Sequence, residues 1–266
     1  MRGIRCLVAA VLAAGIVTVV AAQPGRQFGG GGQQDVYTMV LTNTALQEEL
    51  KVTDAQKEKF KGIAEKQKEA TDKVRSDFKD KFADAKGDKD KSREVRTEMG
   101  KETAKISAEA HKALDAELTA DQKKRLKQIG VQLMGVNVFA DPEAKTGGFG
   151  GFGGGFSDSQ KATMKQVADA LKLTDDQKSK IKGQVEEYTK DRDSIRKDVF
   201  GDSKFGKGNF DAEKQKDFRT KSGKLSTETI GKISESLDEN QKKAWKELTG
   251  EPFDTSKLFQ PPPKKD

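Results

Sequence analysis

One histidine (His111), one cysteine (Cys6) and 43 acidic residues are the main groups this 266-residue chain offers for nucleophilic, acid–base or metal chemistry. Selective transition-metal binding wants clustered His or Cys ligands. A lone histidine on a mid-helix face is a surface or packing residue. The carboxylates are spread along helical segments, and no pair stands out for acid–base work. No loop of spaced Asp or Asn ligands around a central glycine would cage calcium. Neither a Gly-x-Ser-x-Gly elbow nor a phosphate loop is present. The sequence therefore predicts no catalytic residue, no metal site and no cofactor, and a protein that is not an enzyme.

Cys6 opens an apolar run that ends at the small residues Val20-Ala21-Ala22 and follows the basic segment Met1 to Arg5. Basic start, apolar stretch and small-residue end read as a secretory signal peptide over 1–22, with cleavage after Ala22. The rival reading is a retained anchor, although the run falls short of the roughly 20 residues that span a bilayer. Cleavage would leave a chain without cysteine, so disulfides and thiolate chemistry would go with it. The expected location is periplasmic or secreted, with no stable membrane insertion after cleavage. The net charge is +7, or +5 once Arg2 and Arg5 leave with the signal. Lysines are interleaved with Asp and Glu throughout, which reads as solvated helix faces rather than a nucleic-acid surface.

The elements follow from a repeated motif. Leu50-Lys51-Val52-Thr53-Asp54-Ala55-Gln56-Lys57 matches Leu171-Lys172-Leu173-Thr174-Asp175-Asp176-Gln177-Lys178, and Leu118-Thr119-Ala120-Asp121-Gln122-Lys123-Lys124 matches Leu237-Asp238-Glu239-Asn240-Gln241-Lys242-Lys243. Two matches in the same order at offsets of 121 and 119 read as a tandem duplication. Each motif is an apolar residue, Thr or Asp, two residues, then Gln, which is a capping-box pattern. Thr53, Thr119, Thr174 and Asp238 would accept from the amides of Gln56, Gln122, Gln177 and Gln241, whose side chains return the bond. The motif is a structural device first. Val52, Leu118, Leu173 and Leu237, one before each cap, would pack into a neighbouring helix, since a lysine occupies the position that would staple them.

Behind the caps the apolar residues recur with helical period. Phe60, Ile63, Ala70, Val74, Phe78 and Phe82 stripe a helix of about thirty residues, and Val95, Met99, Ile106, Ala110 and Leu114 stripe its return helix. The second set is Ile181, Val185, Tyr188, Ile195 and Val199, with Phe218, Leu225, Thr229 and Ile233 returning. Gly87-Asp88 and Gly201-Asp202 mark the hairpin bends. A short helix opens each unit, over about 35–49 and 157–171, and another closes it after Thr119 or Asp238. Strand-like alternation is absent. The prediction is an all-α fold of two tandem four-helix units, each built on a long curved helical hairpin. Residues 23–34 and 141–156 read as flexible linkers, the latter holding the glycine- and phenylalanine-rich run Gly147 to Phe156. Residues 35–140 and 157–250 are the units, and 251–266 an extended C-terminal tail.

Four such motifs, opening the second and fourth helices of an exported four-helix unit, resemble the Spy/CpxP (LTXXQ-motif) family of periplasmic proteins. LTADQ (Leu118 to Gln122) and LTDDQ (Leu173 to Gln177) fit the pattern fully. VTDAQ (Val52 to Gln56) departs at its first position and LDENQ (Leu237 to Gln241) at its second. The resemblance implies a thin curved hairpin and, for Spy-like members, a cradle that holds unfolded or aggregating proteins without ATP. CpxP-like members damp envelope-stress signalling. Partners would be unfolded or partly folded proteins, or one defined envelope protein docked by an adaptor; a metal-sensing role is the weaker alternative. Members are usually single units, so the two units here are expected to pack as an intramolecular pseudo-dimer.

Overall fold

A computed structural model describes residues 35–143, 156–201 and 211–259, all of them helix, turn or coil. The signal segment, the 23–34 linker, most of the glycine-rich linker, Asp202 and residues 260–266 of the tail lie outside the described residues.

Helix α3 (Asp54–Asp84) and helix α4 (Lys89–Glu117) form the first hairpin, and α7 (Asp175–Phe200) and α8 (Ala212–Glu235) form the second. At the first bend Gly87 takes φ +93°, and Asp88 caps α4 by accepting from the amides of Asp90 and Lys91. Such a φ is open to glycine at little cost. Asp211 caps α8 in the same way, through Glu213 and Lys214.

Each apolar stripe is buried unevenly. On α3 only Phe60 and Phe78 are buried, while Ile63, Ala70, Val74 and Phe82 are half-buried. On α4 burial is complete only at Ala110 and Leu114. A pair of helices can shield only the seam between them, so burial along the arms is intermittent, reaching Phe78 near the tip, and is most continuous at the base, where other elements close over the hairpin.

Short helices form that base. For the first hairpin they are α1 (Val36–Val40), α2 (Thr44–Glu49) and α5 (Ala120–Met134). For the second they are α6 (Asp158–Leu171) and α9 (Glu239–Thr249). The opening segment is thus two helices where one was expected over 35–49. Asn43 interrupts it: its Oδ1 accepts from the Leu46 amide to start α2, and its Nδ2 donates to the Leu258 carbonyl. Gln47 Nε2 donates to the carbonyls of Val40 and Leu41, which the break would otherwise strand.

The tail also differs from expectation. Thr255–Phe259 is a 3-10 turn, and Phe253 and Leu258 are buried in one core with Val36, Leu46, Phe60, Leu114, Leu126 and Ile129. An apolar pair near the chain end has enough burial to gain that it does not stay extended. A second 3-10 turn, Gly135–Phe139, follows α5 and crosses the other way. Its Val136 joins Ile181, Tyr188 and Ile233 between α7 and α8, and its Val138 joins Val167, Leu171 and Leu237. Each half of the chain therefore sends a segment into the core of the other. Between them α5 lies against α9: Gln128 donates to the Glu247 carbonyl, and Gln132 to those of Thr249 and Glu251.

Candidate functional site

The repeated motifs meet in pairs at the hairpin bases. Thr53 Oγ1 accepts from the Gln56 amide at 3.2 Å, and Gln56 Oε1 accepts from the Thr53 amide at 3.0 Å. Thr119 with Gln122, Thr174 with Gln177 and Asp238 with Gln241 form the same reciprocal caps. The lysine after each Gln pairs with the acid opening its helix in three copies, Lys57–Asp54, Lys178–Asp175 and Lys242–Glu239. In the fourth, Lys123 reaches Asp115 instead. Such exposed pairs contribute little. The apolar residues before the caps point inward: Val52 and Leu118 lie in the first core, Leu237 is buried in the second half, and Leu173 is half-buried beside it.

The tie between motifs was not visible in the capping pattern. Gln56 Nε2 donates to Gln122 Oε1 at 2.9 Å, and Gln122 Nε2 donates back to Gln56 Oε1 at 3.1 Å. Their remaining N–H groups go to the carbonyls of Glu117 and Leu50, at the ends of the preceding helices. In the second half, Gln177 and Gln241 exchange bonds of 2.7 and 2.9 Å and donate to the carbonyls of Ser236 and Leu171. Each carboxamide uses both donors, and its oxygen accepts from the cap amide and from its partner, with a longer bond from the Thr53 hydroxyl added at Gln56. Only an amide carries donor and acceptor together at this reach, so Gln is required where an ordinary capping box also takes Glu. Lys51 and Lys172, which lead into the first motif of each half, both hold left-handed backbone, at φ +51° and +45°.

This arrangement is a mechanical bracket. Among the described residues no group of three His, Cys, Asp or Glu could hold a metal ion. His111 sits near Asp35 instead, with Nε2 3.1 Å from Oδ2. Among the described residues no helix is long and apolar enough to cross a membrane.

Residues 41–130 match the model of the LTXXQ motif family, the stretch that holds α2 to α5 and the first bracket. That family includes the Spy/CpxP proteins, to which this stretch of the chain is similar. No curated protein and no solved structure matches the chain. LTXXQ proteins are typically periplasmic.

Within the LTXXQ stretch the phenylalanines divide by exposure. Phe60 and Phe78 belong to the interior, whereas Phe82 is half-buried near the hairpin tip. In the second hairpin Phe200 and Phe218 meet near the tip in a tilted contact, with ring centroids 5.6 Å apart, and both are half-buried. Half-exposed apolar atoms therefore occur along the arms and tips as well as around the bases, while the motif residues hold the bases.

Proposed function

We propose that this protein is an exported, ATP-independent chaperone-like or envelope-stress protein that binds unfolded or aggregation-prone proteins along its helical hairpins, and that it is not an enzyme. The observation that carries this reading is the unequal burial of the stripes. Val74, Phe82, Val95, Met99 and Ile106 are left half-exposed on a two-helix arm whose base holds the buried core. Apolar atoms set among charged side chains suit weak contact with exposed apolar segments of a client, and interleaved charge keeps the surface soluble. The family of residues 41–130 supports the same direction. We further read the second half as a duplicate of the first. The support is the second Gln bracket, the paired left-handed lysines and the α5–α9 contact, which together suit an intramolecular pseudo-dimer.

Mixing the purified protein with an aggregating client, without ATP and at low and high salt, tests the reading. Suppression of light scattering at near-stoichiometric ratios is expected, with added salt weakening encounter more than final capacity. No suppression at either salt concentration overturns it and favours the second reading, a helical adaptor that docks one defined envelope partner.

A further inference from the structure

Asp35 is placed where three elements meet. As the cap of α1 its Oδ1 accepts from the Tyr37 amide at 3.2 Å. Its Oδ2 faces His111 Nε2 on α4 at 3.1 Å, and Ser159 of α6, whose hydroxyl pairs with that of Ser157, lies close enough to the same carboxyl group to help lower its pKa. The side chains of His111 and Asp35 are 26% and 16% exposed, and neither Nε2 nor Oδ2 has a well-aligned hydrogen-bond partner. A shielded carboxylate oxygen without a donor is costly unless an opposite charge faces it. The imidazolium form of His111 supplies that charge, and the neutral form does not.

We propose that His111, Asp35 and Ser159 form a proton-gated clasp that fastens α1 to α4 and α6 when His111 is charged and loosens when it is neutral. The other groups around the imidazole are consistent with this. From α1 the Tyr37 ring lies 5.2 Å away, and one turn along α4 is Asp115, which pairs with Lys123 of α5 at 2.9 Å while its negative charge still acts on Tyr37. Ser159 brings no charge from α6. Asp35 is held below the usual carboxylate range. Burial opposes this, and the contacts with His111, Ser159 and the Tyr37 amide outweigh it, so the carboxylate stays ionised at neutral pH. Because α1 inserts Val36 and Val40 into the first core, its release uncovers the base of the first hairpin.

His111 is the sole histidine, so no other side chain of the described residues ordinarily changes charge between about pH 5.5 and 7.5. Hydrogen exchange at these two pH values, corrected for intrinsic rates, reads the clasp in the parent, His111→Gln, His111→Lys and Asp35→Asn. In the parent, protection of the amides of residues 39–41 should fall several-fold as pH rises, while that of α5 holds. His111→Lys keeps its charge and should give protection that is flat and high. His111→Gln and Asp35→Asn should both be flat and low. Equal parental protection at the two pH values overturns the clasp, as does a fall that α5 shares or that persists in His111→Gln.

Discussion

Gln56 and Gln122, 66 residues apart, bind one another through both ends of their carboxamides, each oxygen accepting from the other's nitrogen. The bond pair closes the base of the first hairpin by joining the N-terminus of α3 to that of α5. It also explains why the motif specifies Gln at its last position, since the neighbouring helix-end carbonyls of Glu117 and Leu50 need donors.

Gln122→Glu should therefore cost more than Thr119→Ala. The carboxylate still accepts from the Thr119 amide, but it loses the donors to Leu50 and Gln56 and sets charge against two carbonyl-type oxygens. A loss of about 1–3 kcal/mol is expected for the buried groups left unpaired. Thr119→Ala removes one cap, about 1 kcal/mol. Urea unfolding of both variants gives the order, and the reverse order would show that the bracket adds little to the cap.

Phe253→Ala should destabilise the first hairpin although it lies more than 130 residues from the end of α4. Its side chain is 4% exposed in the core with Phe60 and Leu114. Truncating a buried phenylalanine typically costs about 3–5 kcal/mol. Native-state hydrogen exchange should show the loss at α3 and α5 as well as near residue 253. A loss confined to the tail would contradict the shared core.

Gly135 and Gly100 should respond in opposite directions to alanine. Gly135 holds φ +54° and ψ −132°, and an added Cβ would meet Ser226 Oγ at 2.8 Å. Such backbone is strained for an L side chain by about 1–3 kcal/mol. Gly100 lies mid-helix in α4 with nothing within 4 Å of an added Cβ, so Gly100→Ala should stabilise by up to about 1 kcal/mol. Thermal unfolding of the two variants checks the signs.

Asp35 should make an acid-sensitive contribution to stability. Its folded-state value is depressed, so its stabilisation is present above the ordinary carboxylate value of about 3.9. It is lost as pH falls through the lower folded-state value. The denaturation midpoint of Asp35→Asn should lie below that of the parent at pH near 6, and the gap should close on acidification. A gap that is constant down to the lowest pH would show that the carboxylate charge is not what stabilises.

Helix type, hairpin positions and the four caps were legible because each rests on local spacing: apolar residues at 3.6 periodicity, Thr or Asp three residues before Gln, and Gly87-Asp88 at a bend. The sequence could not separate Phe60 from Phe82 on the same stripe. Their difference comes from what closes over the base, and that depends on distant segments. For the same reason the burial of Phe253 and Leu258 went unread, as did that of Val136, since short apolar residues beside Gly and Pro carry no period. The Gln–Gln tie needed the folded geometry, although the choice of Gln in all four motifs was its trace. His111 was read as a surface or packing residue, and nothing in its local spacing pointed to Asp35, 76 residues away.

The exchange of segments between the halves also sets an order of events. A chain emerging from its N-terminus has α3 and α4 in hand early, yet their apolar base cannot be sealed until residue 258 has followed. The earliest hairpin made is thus the last one finished. A nascent chain is consequently kept from locking prematurely, and any cut that removes the final dozen described residues leaves its wound at the opposite end of the sequence.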